Sequence, residues 1–293
     1  MYSVEYVLHI LIIVSCYTVL AVSLDLIAGH TGLLTLAHAA FYGLGAYTSA
    51  LLAIHVGLPF WLGVLSGMLV AAFVSFVVSL PSLRLHGDYF AIATFGFQMI
   101  LYSVFNNWSD VTGGSIGIPG IPQATIFGAT VNSRIGYLIL AVTLAALAYA
   151  AVRQLVTSPF GRVLRSIRED EAFASSLGKN TLRFKVTAFA LSAALAASAG
   201  SLYAHYNTYI DPGSFTVMES ILVVSMVIIG GAGSLWGPVI GAVVLVSLPE
   251  ALRFAGFPVS VAANIRQILY GTLLVVMMTF RPRGLVGRYA LGR

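Results

Sequence analysis

The chain alternates between long apolar runs and short polar breaks. Apolar windows extend from about Tyr6 to Ile27, Leu33 to Ile54, Phe60 to Leu80, Tyr89 to Phe105, Ile135 to Val152 and Val186 to Tyr203. A broken pair follows within Phe215 to Leu248, and a last window runs from Ile265 to Phe280. About 20 residues of helix cross the roughly 30 Å of a bilayer's hydrocarbon core, and these windows recur along the whole chain at or near that length. In hydrocarbon each backbone N–H and C=O must bond internally. The windows are too long and continuous for the alternating strands of a barrel, so they predict helices. The expected fold is all-α: a polytopic integral membrane protein of about 8 to 10 transmembrane helices, some broken or re-entrant. Residues 1–293 read as a single transmembrane domain. Leu33 to Ile54 follows the first window after only Ala28-Gly29-His30-Thr31-Gly32 and is full of small residues, which suits a broken or re-entrant helix.

Composition strengthens this picture. The chain is 59% hydrophobic and 9% charged, whereas a soluble domain is about 25% charged, so a water-facing surface could hardly be built from it. The net charge of +5 and pI near 9.4 would suggest nucleic acid in a soluble protein. Here the basic residues sit between and after apolar runs and read as topology signals. Seven Lys and Arg lie from Arg153 to Lys185 and four from Arg281 to Arg293, while Asn106 to Ser133 and Ala204 to Ser220 hold none. The first two regions, with the C-terminus, are expected in the cytoplasm and the last two outside. Counting back puts Arg84 inside and the N-terminus outside, unless Leu33 to Ile54 is re-entrant, which moves the N-terminus inside. The Gly- and Pro-rich stretch Thr112 to Pro122 predicts an ordered, turn-rich external loop rather than a helix.

Several chemistries have nothing to rest on. The single Cys16 excludes an internal disulfide and a cysteine-clustered metal site. Ile13-Val14-Ser15-Cys16 loosely resembles a lipoprotein box, but no basic residue precedes the apolar run, so a buried thiol is expected. Gly230 to Gly237 and Gly113 to Gly120 are glycine-rich but lack the Gly-Lys-Ser/Thr ending of a phosphate loop, and no zinc-protease or serine-hydrolase motif occurs. No catalytic residue, bound cofactor or metal is expected.

Nine of the 25 charged residues crowd into the 28 positions from Ser158 to Lys185. Ser158-Pro159 starts a helix, the hydroxyl capping free N–H groups and the proline losing no bond at the first position. Phe160, Val163, Leu164 and Ile167 share one face at i, i+3, i+4, i+7, with Arg162, Arg165 and Arg168 off it. Glu169-Asp170-Glu171 forms an acidic turn, and a second short helical piece is stopped by Gly178. Two short helices make a compact knob on the cytoplasmic side. Such a knob is either a solvated positive-inside loop or a surface offered to a soluble partner.

Six blocks occur in order: Leu26 to Leu52, Leu83 to Phe97 (LRLHGDYFAIATFGF), Thr112 to Ile118 (TGGSIGI), Ser158 to Glu171 (SPFGRVLRSIREDE), Ile228 to Ala242 (IIGGAGSLWGPVIGA) and Arg281 to Leu285 (RPRGL). Together they closely resemble the permease subunits of branched-chain amino acid ABC importers, over nearly the whole chain. Glu171-Ala172 and Gly178 imperfectly match the coupling-loop pattern by which such permeases dock on an ATPase: one extra residue separates Glu from Gly, and the usual Leu-Pro is absent. The resemblance implies a permease subunit of an ATP-driven importer in a bacterial inner membrane, translocating branched-chain or other apolar amino acids. It implies a second homologous permease forming a heterodimer, two cytoplasmic ATPase subunits that use ATP and Mg, and an external substrate-binding protein. Lipid surrounds the chain, and nucleic acid is no partner. It makes 158–185 the cytoplasmic coupling loop, with Gly161, Arg162, Arg165, Arg168, Glu169, Asp170, Glu171 and Gly178 as the residues meeting the ATPase. Urea and short amides stay open as alternative solutes.

Other residues are read in two ways. Gly233, Gly237 and Gly241 form a small-residue ridge for helix packing. Alternatively Gly230-Gly231 breaks a helix near the midplane and its loose backbone lines a path, as in many transporters. Arg84 with Asp88 and Glu250 with Arg253 read as local pairs at helix ends. Asp25 is expected near the cytoplasmic end of its helix, and Glu219 near the external entrance. His38, Thr94 and Gln98 are polar groups within spans, either interhelical hydrogen-bond partners or path residues. An ion-coupled secondary transporter would need buried acidic or His residues, of which Asp25, His38 and Glu219 are a thin supply.

Overall fold

The computed structural model describes residues 2–83, 88–126, 129–254, 259–281 and 283–287. The pairs expected of Arg84 with Asp88 and of Glu250 with Arg253 involve residues or side chains outside this set, as do Arg288 and Arg293. The described residues are mostly helical: α1 (Tyr2–Ala28), α2 (His38–His55), α3 (Phe60–Ser82), α4 (Asp88–Asn107), α5 (Ser109–Thr112), α6 (Arg134–Thr157), α7 (Pro159–Glu169), α8 (Glu171–Ser176), α9 (Thr181–Asn207), α10 (Val217–Gly230), α11 (Gly237–Phe254) and α12 (Val259–Phe280). Six stretches, Val4–Ala28, Phe60–Ser82, Tyr89–Asn107, Arg134–Thr157, Thr181–Asn207 and Pro212–Gly230, are by length and apolarity alone sufficient to cross a membrane. α2, α11 and α12 complete a polytopic membrane bundle.

α9 forms the centre, and its composition explains why. Its buried positions are mainly Ala, Ser and Gly, from Ala188 to Ala204, and small residues allow backbones to approach closely where lipid supplies no hydrophobic drive between helices. α2 takes up that offer. A β-carbon on Gly45 would lie 2.0 Å from the Ala197 carbonyl oxygen, and one on Gly200 would lie 1.9 Å from that of Tyr42. The two contacts run in opposite sequence directions, so the pair is antiparallel. α1 and α3 pack on the same core helix, while α4 and α6 turn large apolar side chains outward, among them Ile92, Ile100, Ile139 and Leu147.

The two ends of the bundle differ. At one end the stretches without Lys or Arg meet. β1 (Ile118–Pro119) pairs antiparallel with β4 (Tyr209–Ile210), while β2 (Thr125–Ile126) pairs with β3 (Ala129–Thr130). The turn-rich loop expected from Asn106 to Ser133 is observed, with one helical turn at α5 and a 3-10 turn at Gly114–Ile116. The start of α1 lies at this end too, since Arg134 reaches the carbonyl of Glu5 at 3.0 Å and His9 Nδ1 lies 2.7 Å from Tyr206 Oη. At the other end lie α7, α8 and the segment 283–287.

Candidate functional site

The knob is built by local capping. Ser158 accepts from the Phe160 N–H at 3.2 Å and Pro159 opens α7; Asp170 accepts from Phe173 at 2.9 Å to start α8; Asn180 accepts from Arg183 at 3.1 Å to start α9. The buried side of α7 is Gly161, Leu164 and Ile167. Gly161 has to be glycine, because a β-carbon would lie 2.2 Å from the Val156 carbonyl oxygen where the chain folds back on α6. Of the remaining expected residues, Arg162, Glu169, Asp170 and Gly178 are exposed and Arg165 is half-buried. Glu171 is ion-paired with the buried Lys185 of α9, fixing α8 to the core. Gly178 adopts φ +76 with open space around it, which ends α8 in the left-handed region.

Arg168 behaves differently from Arg162. Its guanidinium donates to the carbonyl of Gly29, one residue past α1, and its stem packs on Gly32, where a β-carbon would lie 3.1 Å from Cγ. Arg165 shares a cavity of about 640 Å³ with Arg153, Thr157, His30, Ser234 and Trp236. The knob therefore touches the end of α1 and faces the loop between α10 and α11 across a cavity.

That loop is a hairpin turn. A β-carbon on Gly230 would lie 1.9 Å from the Gly237 carbonyl oxygen, and one on Gly241 would lie 1.9 Å from that of Met226. α10 and α11 thus run antiparallel in close contact along Gly230, Gly237 and Gly241. Gly233 does not belong to this ridge: it sits in the turn at φ +75, and its N–H donates to Asp25 Oδ1 at 2.8 Å. Gly231, at φ +112, has its own α-carbon against Gly287 and Gly284. The break expected near the midplane lies instead level with Asp25 to Gly29, where α1 ends beside α7. Its open carbonyls are capped from the C-terminal segment, Leu285 N–H donating to Ile229 at 2.9 Å and Val286 N–H to Gly230 at 3.0 Å.

A second interruption lies deeper. The backbone is not helical from Gly29 to Ala37, so α2 begins at His38, five residues after the window predicted from sequence. A helix start leaves N–H groups without partners, and side chains of other helices supply them. Thr94 accepts from Leu36 at 3.1 Å, Gln98 from Ala40 at 2.7 Å and Ser220 from Ala39 at 2.9 Å. Gln98 also donates to the Phe215 carbonyl at 2.7 Å, and His38 Nε2 lies 2.8 Å from Ser23 Oγ. His38, Thr94 and Gln98 are thus brought together, as bonding partners at the start of α2. Glu219 is half-buried in the first turn of α10 and accepts from Tyr17 Oη at 2.6 Å. It stands toward the end carrying the Lys- and Arg-free loops.

Sequence reasoning missed the bonding of Asp25, the His30 beside it, Ser220, Tyr17 and the cap from 285–286. Asp25 carried a signal, being an acidic residue in the last turn of a long apolar helix. No group of three or more His, Cys, Asp or Glu side chains is arranged to hold a metal ion among the described residues.

The family profile described as "Branched-chain amino acid transport system / permease component" matches residues 6–278. The chain is 36% identical to the high-affinity branched-chain amino acid transport system permease protein LivM of Salmonella typhimurium, over 92% of this chain and 67% of that protein, and to LivM of Escherichia coli by the same figures. It is 25% identical to the LivH permease of Escherichia coli over 94% of this chain and 92% of that one. No solved structure matches. With a bundle of apolar helices and a family match along nearly its whole length, the chain belongs to the branched-chain amino acid ABC transport permeases, as a transport component.

Proposed function

We propose that this chain is the membrane-spanning subunit of an ATP-driven importer of branched-chain or other apolar amino acids. It pairs with a second, LivH-like permease as a heterodimer, with two ATPases in the cytoplasm and a binding protein outside. The observation that carries this reading is the family match over 6–278 together with a knob whose apolar side is packed on the bundle while Arg162, Glu169, Asp170 and Gly178 face outward. The similarity to both LivM and LivH supports a partner of the same fold. ATP and Mg belong to the ATPases, since this chain holds no phosphate loop.

The orientation follows from charge. The knob lies in the cytoplasm with the C-terminal segment, and the Lys- and Arg-free loops face the binding protein. The start of α1, beside Arg134 and Tyr206, belongs to that outer end, which supports an external N-terminus. Glu219 with Tyr17 then lies toward the outer mouth, where a carboxylate can attract the ammonium of an arriving amino acid.

Reconstitution tests the reading. Proteoliposomes holding both permeases and both ATPases should accumulate leucine when supplied with ATP and loaded binding protein, and should continue after ion gradients are collapsed. Gradient-driven uptake by this chain alone would replace the importer with a secondary transporter, and uptake of urea or short amides without leucine would change the solute. In the same system Gly178→Arg, at an exposed position with room for the side chain, should abolish ATPase stimulation while the chain still inserts, whereas Gly178→Ala, which strains the φ +76 backbone equally, should keep most of it. Unchanged stimulation with Gly178→Arg would remove the knob from the ATPase contact.

A further inference from the structure

We propose that Asp25 is the positioning residue through which movement of α7 reaches the α10–α11 turn. The inference rests on the importer reading above, in which α7 is the element the ATPase moves.

A carboxyl group within a membrane helix is costly and is kept where it has a partner. Asp25 is 1% exposed, three residues from the end of α1, and Oδ1 accepts the Gly233 N–H. One turn further along the chain, Gly29 gives its carbonyl to the Arg168 guanidinium. Between these two bonds there is no spare room. A β-carbon on Gly29 would lie 1.9 Å from Asp25 Oδ1 and 2.5 Å from the Gly233 nitrogen, so the end of α1 and the hairpin turn meet backbone to backbone. His30 folds over the same carboxyl group, Nδ1 lying 3.1 Å from the Asp25 carbonyl oxygen and 3.5 Å from Oδ2. The route is contiguous: Arg168 on α7, Gly29 on α1, Asp25, Gly233.

The turn at the far end of this route is built to respond. Gly231 and Gly233 both hold positive φ, and the Ile229 and Gly230 carbonyls that lead into the turn accept backbone bonds from Leu285 and Val286. Displacing Arg168 shifts the carbonyl end of α1, and Asp25 transfers that shift to Gly233 and so to the seam of α10 and α11. Two sites linked in this way share a coupling free energy, which appears as a change in transport per nucleotide rather than in protein amount.

The test uses the assembled complex in proteoliposomes and reads two quantities, ATP hydrolysis stimulated by loaded binding protein and leucine accumulated per ATP. Asp25→Ala should lower leucine per ATP by about tenfold while hydrolysis stays within about threefold of the unsubstituted complex. Asp25→Asn, which keeps an oxygen acceptor for Gly233 but replaces the second carboxyl oxygen, the one beside His30, with an amide NH2, should fall between. Arg168→Ala should also lower the ratio, and Asp25→Ala combined with Arg168→Ala should be no worse than the worse single variant. A purely structural carboxyl group would reduce hydrolysis and uptake in the same proportion, and that result overturns the proposal. So does full additivity of the two substitutions. Should Asp25→Ala fail to assemble, Asp25→Asn and Arg168→Ala decide: an unchanged ratio in both overturns it. A failure of the importer reading looks different, because the unsubstituted complex would then not take up leucine on ATP.

Discussion

Two interruptions divide the helices of this bundle, and they are held in opposite ways. At the start of α2 the free N–H groups are taken by Thr94, Gln98 and Ser220, side chains from two other helices buried in the core. At the α10–α11 turn the bonds come from the Asp25 carboxyl group, from the turn's own Ser234, whose Oγ accepts from the Gly237 N–H at 2.8 Å, and from the backbone of a short C-terminal segment, next to a charged knob. The first is fixed from several directions at once by groups that cannot move without disturbing the core. The second is fixed by two neighbours at the bundle's end, one of which contacts α7. The difference teaches where the bundle is rigid and where it can bend: satisfied, cross-helix networks resist displacement, whereas glycine turns capped by backbone bonds can adopt a second arrangement.

Removing the core side of this comparison should have the largest effect. Gln98→Leu takes the 2.7 Å acceptor from the Ala40 N–H, leaving it only the Ala37 carbonyl at 3.1 Å, and takes the side-chain donor from the Phe215 carbonyl; a buried group left unsatisfied costs about 1 to 3 kcal/mol. The expected outcome is a sharp fall in the melting temperature of the detergent-solubilised protein and in the amount recovered from membranes. Wild-type melting behaviour would show that α2's start is not held by this residue.

The turn side should respond in function before stability. Gly241→Ala places a β-carbon 1.9 Å from the Met226 carbonyl oxygen and must spread α10 from α11. ATP-driven uptake should drop by about tenfold, a change of about 1.4 kcal/mol, with the protein still inserted and a melting temperature lowered less than in Gln98→Leu. A loss of stability equal to that of Gln98→Leu would erase the distinction between the two regions.

What the sequence makes legible follows the reach of the interactions involved. The knob's two short helices are legible because their signals are local: Ser158 caps α7 from two positions away and Gly178 ends α8, while Asp170 and Asn180, not read as caps, act just as locally. Gly237 and Gly241 announce close packing because the hairpin partner lies within about 15 residues, whereas Gly233, read as part of the same ridge, sits in the turn, and Gly230, read as a break, packs in the seam. The start of α2 is not legible. Leu33 to Ala37 is as apolar as a helix interior, and what keeps it extended includes Thr94, 58 residues from its partner Leu36. The depth of the α10–α11 turn is likewise hidden, since it depends on a bond between Asp25 and Gly233, 208 residues apart. Apolar periodicity reports that a helix exists; it carries no record of which distant side chain receives its end.

The smallest expected effect sharpens the comparison from within the core. Thr94→Val removes the acceptor for the Leu36 N–H while keeping the shape of the side chain. Thr94 Oγ1 also donates to the Ala91 carbonyl of its own helix, a group that α4 already satisfies in part, so little is lost there. Side-chain hydrogen bonds in membrane proteins average about 0.6 kcal/mol, and the Ala37, Ala39 and Ala40 N–H groups keep their partners in Thr35, Ser220 and Gln98. Melting should therefore shift by only a few degrees, with uptake per ATP unchanged. Uptake falling at constant stability would mean that α2's start moves during transport, and the core interruption would then belong with the hairpin turn as a working part.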